Sequence, residues 1–163
     1  MFDRTRHSPE VRKAMRAAME IMPSSGDVQD LLTSLSRARG RNITILSAPL
    51  DSAISGLLIS TEQADYIAVS DGASPERFVA IVCHEVAHAL PGHDHSHAIG
   101  EEILETGLLQ IVNPELAGSA VAARRAYAHT DESEAEVVAT YLSVELRRRV
   151  MRGGHTFYDE RWR

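Results

Sequence analysis

His84-Glu85-Val86-Ala87-His88 is the stretch whose residue types and spacing carry chemistry. A four-residue step along an α-helix turns about 400° and rises about 6 Å, so both imidazoles leave one face, one turn apart. That separation lets two ring nitrogens reach a single zinc ion at about 2.0–2.1 Å. Glu85 stands about 60° round the helix from His88, within reach of a metal-held water without being a ligand itself. This is the position of a general base, so one helical turn supplies two ligands and the group that moves the proton. Cys83 turns about 100° away from His84, toward the core, and is expected to be a buried, inert thiol.

Two histidines do not complete a catalytic zinc site, which needs a third protein ligand and one open position. One route places that ligand ten residues after His84, where Asp94 stands. The sharp turn on that route wants glycine at position 91; the chain has Pro91 there, with Gly92 one place late, and His93 and His95 straddle the required position. The other route runs through the segment Asp131-Glu132-Ser133-Glu134-Ala135-Glu136-Val137-Val138-Ala139. Read as a helix, it puts Glu132, Ala135, Glu136 and Ala139 on one face. Glu132 is the preferred ligand, and the small Ala135 lets this helix pack closely on the motif helix. Glu136 is expected to receive the free N–H of a ligating histidine. Glu134 points about 200° from Glu132 and is expected to be exposed, complementing the helix dipole together with Asp131.

The elements that must position these residues follow from periodicity and caps. Ser8-Pro9-Glu10 opens a helix, with Val11, Met15, Ala18, Met19 and Met22 at helical spacing until Pro23-Ser24-Ser25-Gly26. A second helix starts near Asp27, carries Val28, Leu31, Leu32 and Leu35 on one face and stops at Gly40. Three strands follow, at Asn42–Leu46, Ile54–Ile59 and Tyr66–Val69. Their connections are too short for a crossover helix, which predicts an antiparallel meander. Ser74 and Pro75 then open the motif helix, expected to run to about Leu90. Further helices are expected over 99–112, 114–127 and from Asp131 to about Arg152, with an extended tail from Gly153.

The chain has 163 residues, 44% hydrophobic, 25% charged and 5% aromatic, with a formal net charge of -6. That suits one domain with a sizeable core: N-terminal helices over 1–40, sheet and core over 41–152 and a tail over 153–163. A disordered chain is excluded by the apolar fraction. No stretch approaches the roughly 18 unbroken apolar residues of a membrane span. The first residues lack the apolar region of a secretory signal, and Cys83 is the single cysteine, so the expected location is cytoplasmic and no membrane partner is expected. The acidic balance argues against direct nucleic-acid binding, and Arg147-Arg148-Arg149 reads as the charged end of a helix.

These residues resemble the ImmA/IrrE family of zinc metallopeptidases, of the HExxH gluzincin type. The family's hallmark is a motif like HELxHxLLxH followed by a helix like ExEAxxFAxxLL. The chain offers His84 to His93 for the first and Glu132 to Leu142 for the second. Arg39-Gly40-Arg41-Asn42-Ile43-Thr44, Gly56-Leu57 and Asp65-Tyr66-Ile67 are also similar to members of the group, so the likeness spans residues 27–145. Val138 stands where the family has phenylalanine, and Glu145-Leu146-Arg147 replaces the usual Leu-Met-Pro. The long stretch between His88 and Glu132 points to an inserted helix.

The expected fold is α+β, with a small three-stranded antiparallel sheet packed on a mainly helical, zincin-like domain with N-terminal helices. The resemblance implies an endopeptidase that cleaves or regulates a protein partner, a helix-turn-helix transcriptional repressor, in stress responses or mobile elements. The mechanism expected of such a hydrolase is Zn2+ held by His84, His88 and Glu132, with Glu85 passing a proton from water to the leaving amine. His129 and Tyr127 are candidates for stabilising the oxyanion. The Tyr66–Val69 strand is the candidate edge for an extended substrate. His93, His95 and His97 read either as a mobile loop near the cleft or as a polar surface turn. The competing class is a non-catalytic binding module that grips a transcription factor without cutting it.

Overall fold

Ser8 caps the first helix as its sequence predicts: its hydroxyl accepts the Val11 N–H at 3.1 Å, and Pro9 occupies the first helical position. In the computed structural model, which describes residues 7–50, 56–60, 64–90, 122–124 and 129–153, this helix α1 spans Pro9–Ile21. The Asp27 carboxylate accepts the N–H groups of Gln29 and Asp30 to start α2, Val28–Arg39, and Gly40 ends it in the left-handed conformation at φ 64°. The strands are β1 (Asn42–Ala48), β2 (Gly56–Ser60), β3 (Ala64–Ser70) and β4 (Ala122–Arg124). Helix α3, Pro75–Ala89, carries the motif, and α4, His129–Gly153, is the long C-terminal helix.

The fold class is α+β, but the sheet is not the antiparallel meander that loop length predicts. Its strand order is β1-β3-β2-β4, with β3 parallel to β1 and antiparallel to β2, and β4 antiparallel to β2. A parallel pair demands a long crossover only when its strands are consecutive. Here β2 intervenes in the sequence, and β3 lies between β1 and β2 in the sheet. Leu58 faces Ile67 across the β2–β3 ladder, and Ile45 faces Ile67 across β1–β3. As a consequence β3 has both neighbours and cannot accept an added strand. Ala122–Arg124, expected within a helix, instead pairs with Leu58–Ser60. Helical propensity in an alanine-rich triplet yields to the hydrogen-bonding demand of a bare sheet edge.

The core is continuous from α1 and α2 through the sheet to α3 and α4. It includes Leu31, Leu35, Leu58, Ile67, Val82, Val86, Val138, Leu142 and Leu146, all buried. Helix α3 lies against β2 and β3 on one side and α4 on the other, so its motif turn is held between the sheet and the second helix. Glu134, expected to be exposed, is half-buried and accepts the Ser8 hydroxyl at 3.0 Å, because α1 packs across the beginning of α4.

Two contacts set the close approach of α4. The Arg149 guanidinium donates to the Pro23 carbonyl at 3.0 Å. Gly26, at φ 75°, lies so near α4 that an added Cβ would stand 2.7 Å from the Leu146 carbonyl oxygen and 2.8 Å from the Val150 nitrogen. Both the backbone angle and the space exclude a side chain. Gly26→Ala is therefore expected to lower the unfolding free energy by at least about 2 kcal/mol, read from urea denaturation followed by circular dichroism.

Candidate metal centre

The motif sits in the C-terminal half of α3. Ser74 caps the helix by accepting the Arg77 N–H at 3.3 Å, and Glu76 complements the positive end of its dipole. Val79, Ile81, Val82, Val86 and Ala89 are buried, so the helix is fixed on nearly all sides. His84 and His88 project from the strip that faces α4. Their Nε2 atoms are 3.2 Å apart, and the two rings meet edge to face.

Helix α4 supplies the acid that spacing alone left open. Glu132 Oε2 lies 3.3 Å from His84 Nε2, and Glu132 Oε1 lies 3.4 Å from His88 Nε2. One ligand atom from each of the three residues falls within 4.8 Å of the other two, so the cluster can hold a metal ion. Each imidazole is measured to a different oxygen of Glu132, and each separation is of the size found between two donors to one tetrahedral ion. Donors at about 2.0–2.1 Å from a common centre stand about 3.3–3.4 Å from one another. Two imidazoles and one carboxylate are also the donor set of a catalytic zinc, with a fourth position left for water or substrate. Glu136, one turn further along α4, places a carboxylate oxygen 3.4 Å from His84 Nδ1, where it can accept the remaining ring N–H. His88 is almost wholly buried, at 1% side-chain exposure, whereas His84 is 27% exposed; solvent therefore reaches the cluster from the His84 side.

Glu85 lies between the cluster and the sheet, close enough to Glu132 to feel its charge. It is buried and accepts a hydrogen bond from the Leu58 backbone of β2. Gly56, two residues earlier in β2, makes room for it: a Cβ there would stand 3.1 Å from Glu85 Oε1 and would collide with Ile81. A glycine inside a strand is the sequence signal for such an approach. Burial, reinforced by the Glu132 carboxylate, pushes the Glu85 carboxyl up to about 8 from 4.5. The folded protein thus holds this proton more tightly than the unfolded chain. The stability associated with it is complete below about pH 4.5 and is lost as pH rises through about 8. A divalent cation beside the carboxylate opposes the effect by favouring the charged form. After chelator treatment, the melting temperature of the wild type is expected to fall more steeply between pH 5 and pH 8 than that of Glu85→Gln, measured by calorimetry.

Cys83 is buried, as expected; burial pushes its thiol up to about 12, against a weaker opposing hydrogen bond with Ser143. That thiol is not a nucleophile at neutral pH. The backbone of His129 opens α4, while its side chain, and the whole of Tyr127, His93, Asp94, His95, His97 and the tail from Gly154, lie outside the described residues. So does the inserted helix expected between His88 and Glu132.

One part of the site has no counterpart in the motif reading. Asp65 on β3 is fully buried, and Arg39 Nε and Nη2 each lie 2.8 Å from its Oδ2. Arg41 Nε lies 3.3 Å from Oδ1. Arg39 Nη1 also donates to the Ala89 carbonyl at 2.6 Å, one residue beyond His88. The pair of arginines and one acid thus pins the end of the motif helix to the central strand. The arginines flanking Gly40 and the acid opening β3 are the visible signal, but only the fold shows that they meet.

No protein-family model, curated protein or solved structure matches the chain. Among the described residues, no helix is long and apolar enough to cross a membrane.

Proposed function

We propose that the chain is a zinc-dependent endopeptidase of the ImmA/IrrE kind. The observation that carries this reading is the convergence of His84 and His88 from α3 with Glu132 from α4 at 3.2–3.4 Å. Glu85 stands next to His84 on the same turn.

His84, His88 and Glu132 would hold the zinc, whose Lewis acidity would lower the pKa of a water toward about 7 and polarise a carbonyl. Glu85 would accept a proton from the attacking water as the C–O bond forms and then deliver it to the amine nitrogen as the C–N bond breaks. The Leu58 N–H bonds the Glu85 carboxylate and the missing side chain at Gly56 leaves room for it, which fixes the acid against β2. Glu136, 3.4 Å from His84 Nδ1, can accept that N–H and would leave Nε2 for a metal. The exposed side of His84 is the side from which a peptide approaches.

The substrate in this reading is a protein partner, with a helix-turn-helix repressor as the one implied by the family likeness. The purified chain with one equivalent of zinc is expected to cut peptides in a proteome-derived library, mapped by mass spectrometry. Excess chelator abolishes the cuts and added zinc restores them. Absence of chelator-sensitive cleavage across such a library would overturn the reading and leave a binding module in its place.

A further inference from the structure

The strand beside Glu85 is β2. Its Leu58 N–H bonds the carboxylate, and Gly56 leaves room for it. One edge of β2 is taken by β3 along the whole of Gly56–Ser60. The other edge carries β4, where Leu58, Ile59 and Ser60 stand opposite Arg124, Ala123 and Ala122. Leu58 is thus both the residue that holds Glu85 and the residue that faces Arg124. The cover is incomplete: β4 has three residues against five in β2, and among the described residues no strand pairs with Gly56 or Leu57 on this edge.

We propose that β4 is an autoinhibitory strand: it occupies the edge of β2 on which an extended peptide substrate lies, and a substrate seats only when β4 leaves; the proposal rests on the peptidase reading. A peptide presented to the base in extended form exposes N–H and C=O groups that need partners. Pairing with a strand edge supplies them whatever the peptide's sequence. Among the described strands, only β2 offers such an edge beside Glu85, because β3 has two neighbours and β1 lies two strand positions away. A peptide arriving from the exposed His84 side still has to lie against the strand that holds the acid. That place is filled by a piece of the chain itself, antiparallel to β2 and level with Leu58. A ladder of three residues, against the five or six of an average strand, belongs to the parts of a fold that open locally without global unfolding.

Proline on β4 tests this. Successive residues of a strand turn their N–H groups to opposite edges, so Ala123→Pro and Ala122→Pro/Arg124→Pro remove the two sets of donors in turn. One variant loses the bonds to β2 and the other only outward-facing donors, and faster hydrogen exchange at Leu58–Ser60 identifies the released one. The first readout does not depend on turnover. A capped peptide with the sequence of residues 120–126 is titrated by heteronuclear NMR into each protein carrying Glu85→Gln. The released variant is expected to bind it at least about tenfold more tightly than the protein with β4 in place, with shifts at Leu58, Ile59 and Ser60. With Glu85 and zinc present, the released variant is expected to cut library peptides about tenfold faster than the wild type. Ala122→Gly/Ala123→Gly/Arg124→Gly, which weakens the strand while keeping every N–H, gives the same ordering with smaller differences and serves if a proline variant does not fold. Unchanged exchange in both proline variants, or equal binding of the peptide with β4 in place and released, would overturn the proposal. Chelator-sensitive cleavage at equal rates in all variants removes it while the peptidase reading stands. Absence of cleavage by every variant removes that reading and the proposal with it.

Discussion

For the proposed peptidase, Glu85→Gln is expected to bind zinc as the wild type does and to lose hydrolysis by about 10²–10⁴-fold in kcat, with KM little changed. Glutamine has nearly the shape of glutamate and can still meet the Leu58 backbone, so the packing between α3 and β2 survives. It cannot accept a proton from water at the moment of attack. None of the three ligand residues is altered, so metal content serves as the internal control. The variant also separates the two readings of the fold. A biological output that persists with glutamine at 85 belongs to a protein that binds its partner; an output that disappears with cleavage belongs to an enzyme.

Asp65→Ala is expected to lower the unfolding free energy by about 3–5 kcal/mol, a large part of the 5–15 kcal/mol typical of a domain. Asp65 has no solvent exposure, and its two oxygens face Arg39 and Arg41. Removing the acid leaves the part-buried Arg39 guanidinium without its counter-charge and takes a neighbouring charge from Arg41. Breaking such a pair on one side costs far more than the pair itself contributes. Arg39 also loses the anchor that aims it at the Ala89 carbonyl, so the last turn of α3 loosens beside His88. Urea denaturation at fixed zinc concentration measures the first effect, and zinc affinity of the folded fraction measures the second. Unchanged values for both would show that the corner does not support the motif helix.

The parts of this molecule that were legible in the sequence are those decided within one or two turns of chain. Ser8, Asp27 and Ser74 cap helices through their own side chains, and Gly40 ends α2 because it can adopt positive φ. The pairing of His84 with His88 follows from helical rise alone. Glu132 and Glu136 were legible one level up, since their shared face with Ala135 and Ala139 required a close neighbour, and α3 is that neighbour.

What escaped was decided by long-range competition. The position of β3 between β1 and β2 depends on which edge is free when the chain returns, and local periodicity does not record that. The same holds for Ala122–Arg124, whose residues favour a helix but complete the sheet edge at β2. Asp65, Arg39 and Arg41 are ordinary charged residues until the fold buries the acid.

The account rests on one ion being shared by three side chains from two helices. Zinc per chain, measured by plasma mass spectrometry after dialysis, tests this on the wild type and on Glu132→Ala. The expected values are near one and near zero, with both proteins folded. A wild type that retains no zinc, or a variant that retains all of it, would contradict the assignment of Glu132 and with it the proposed centre.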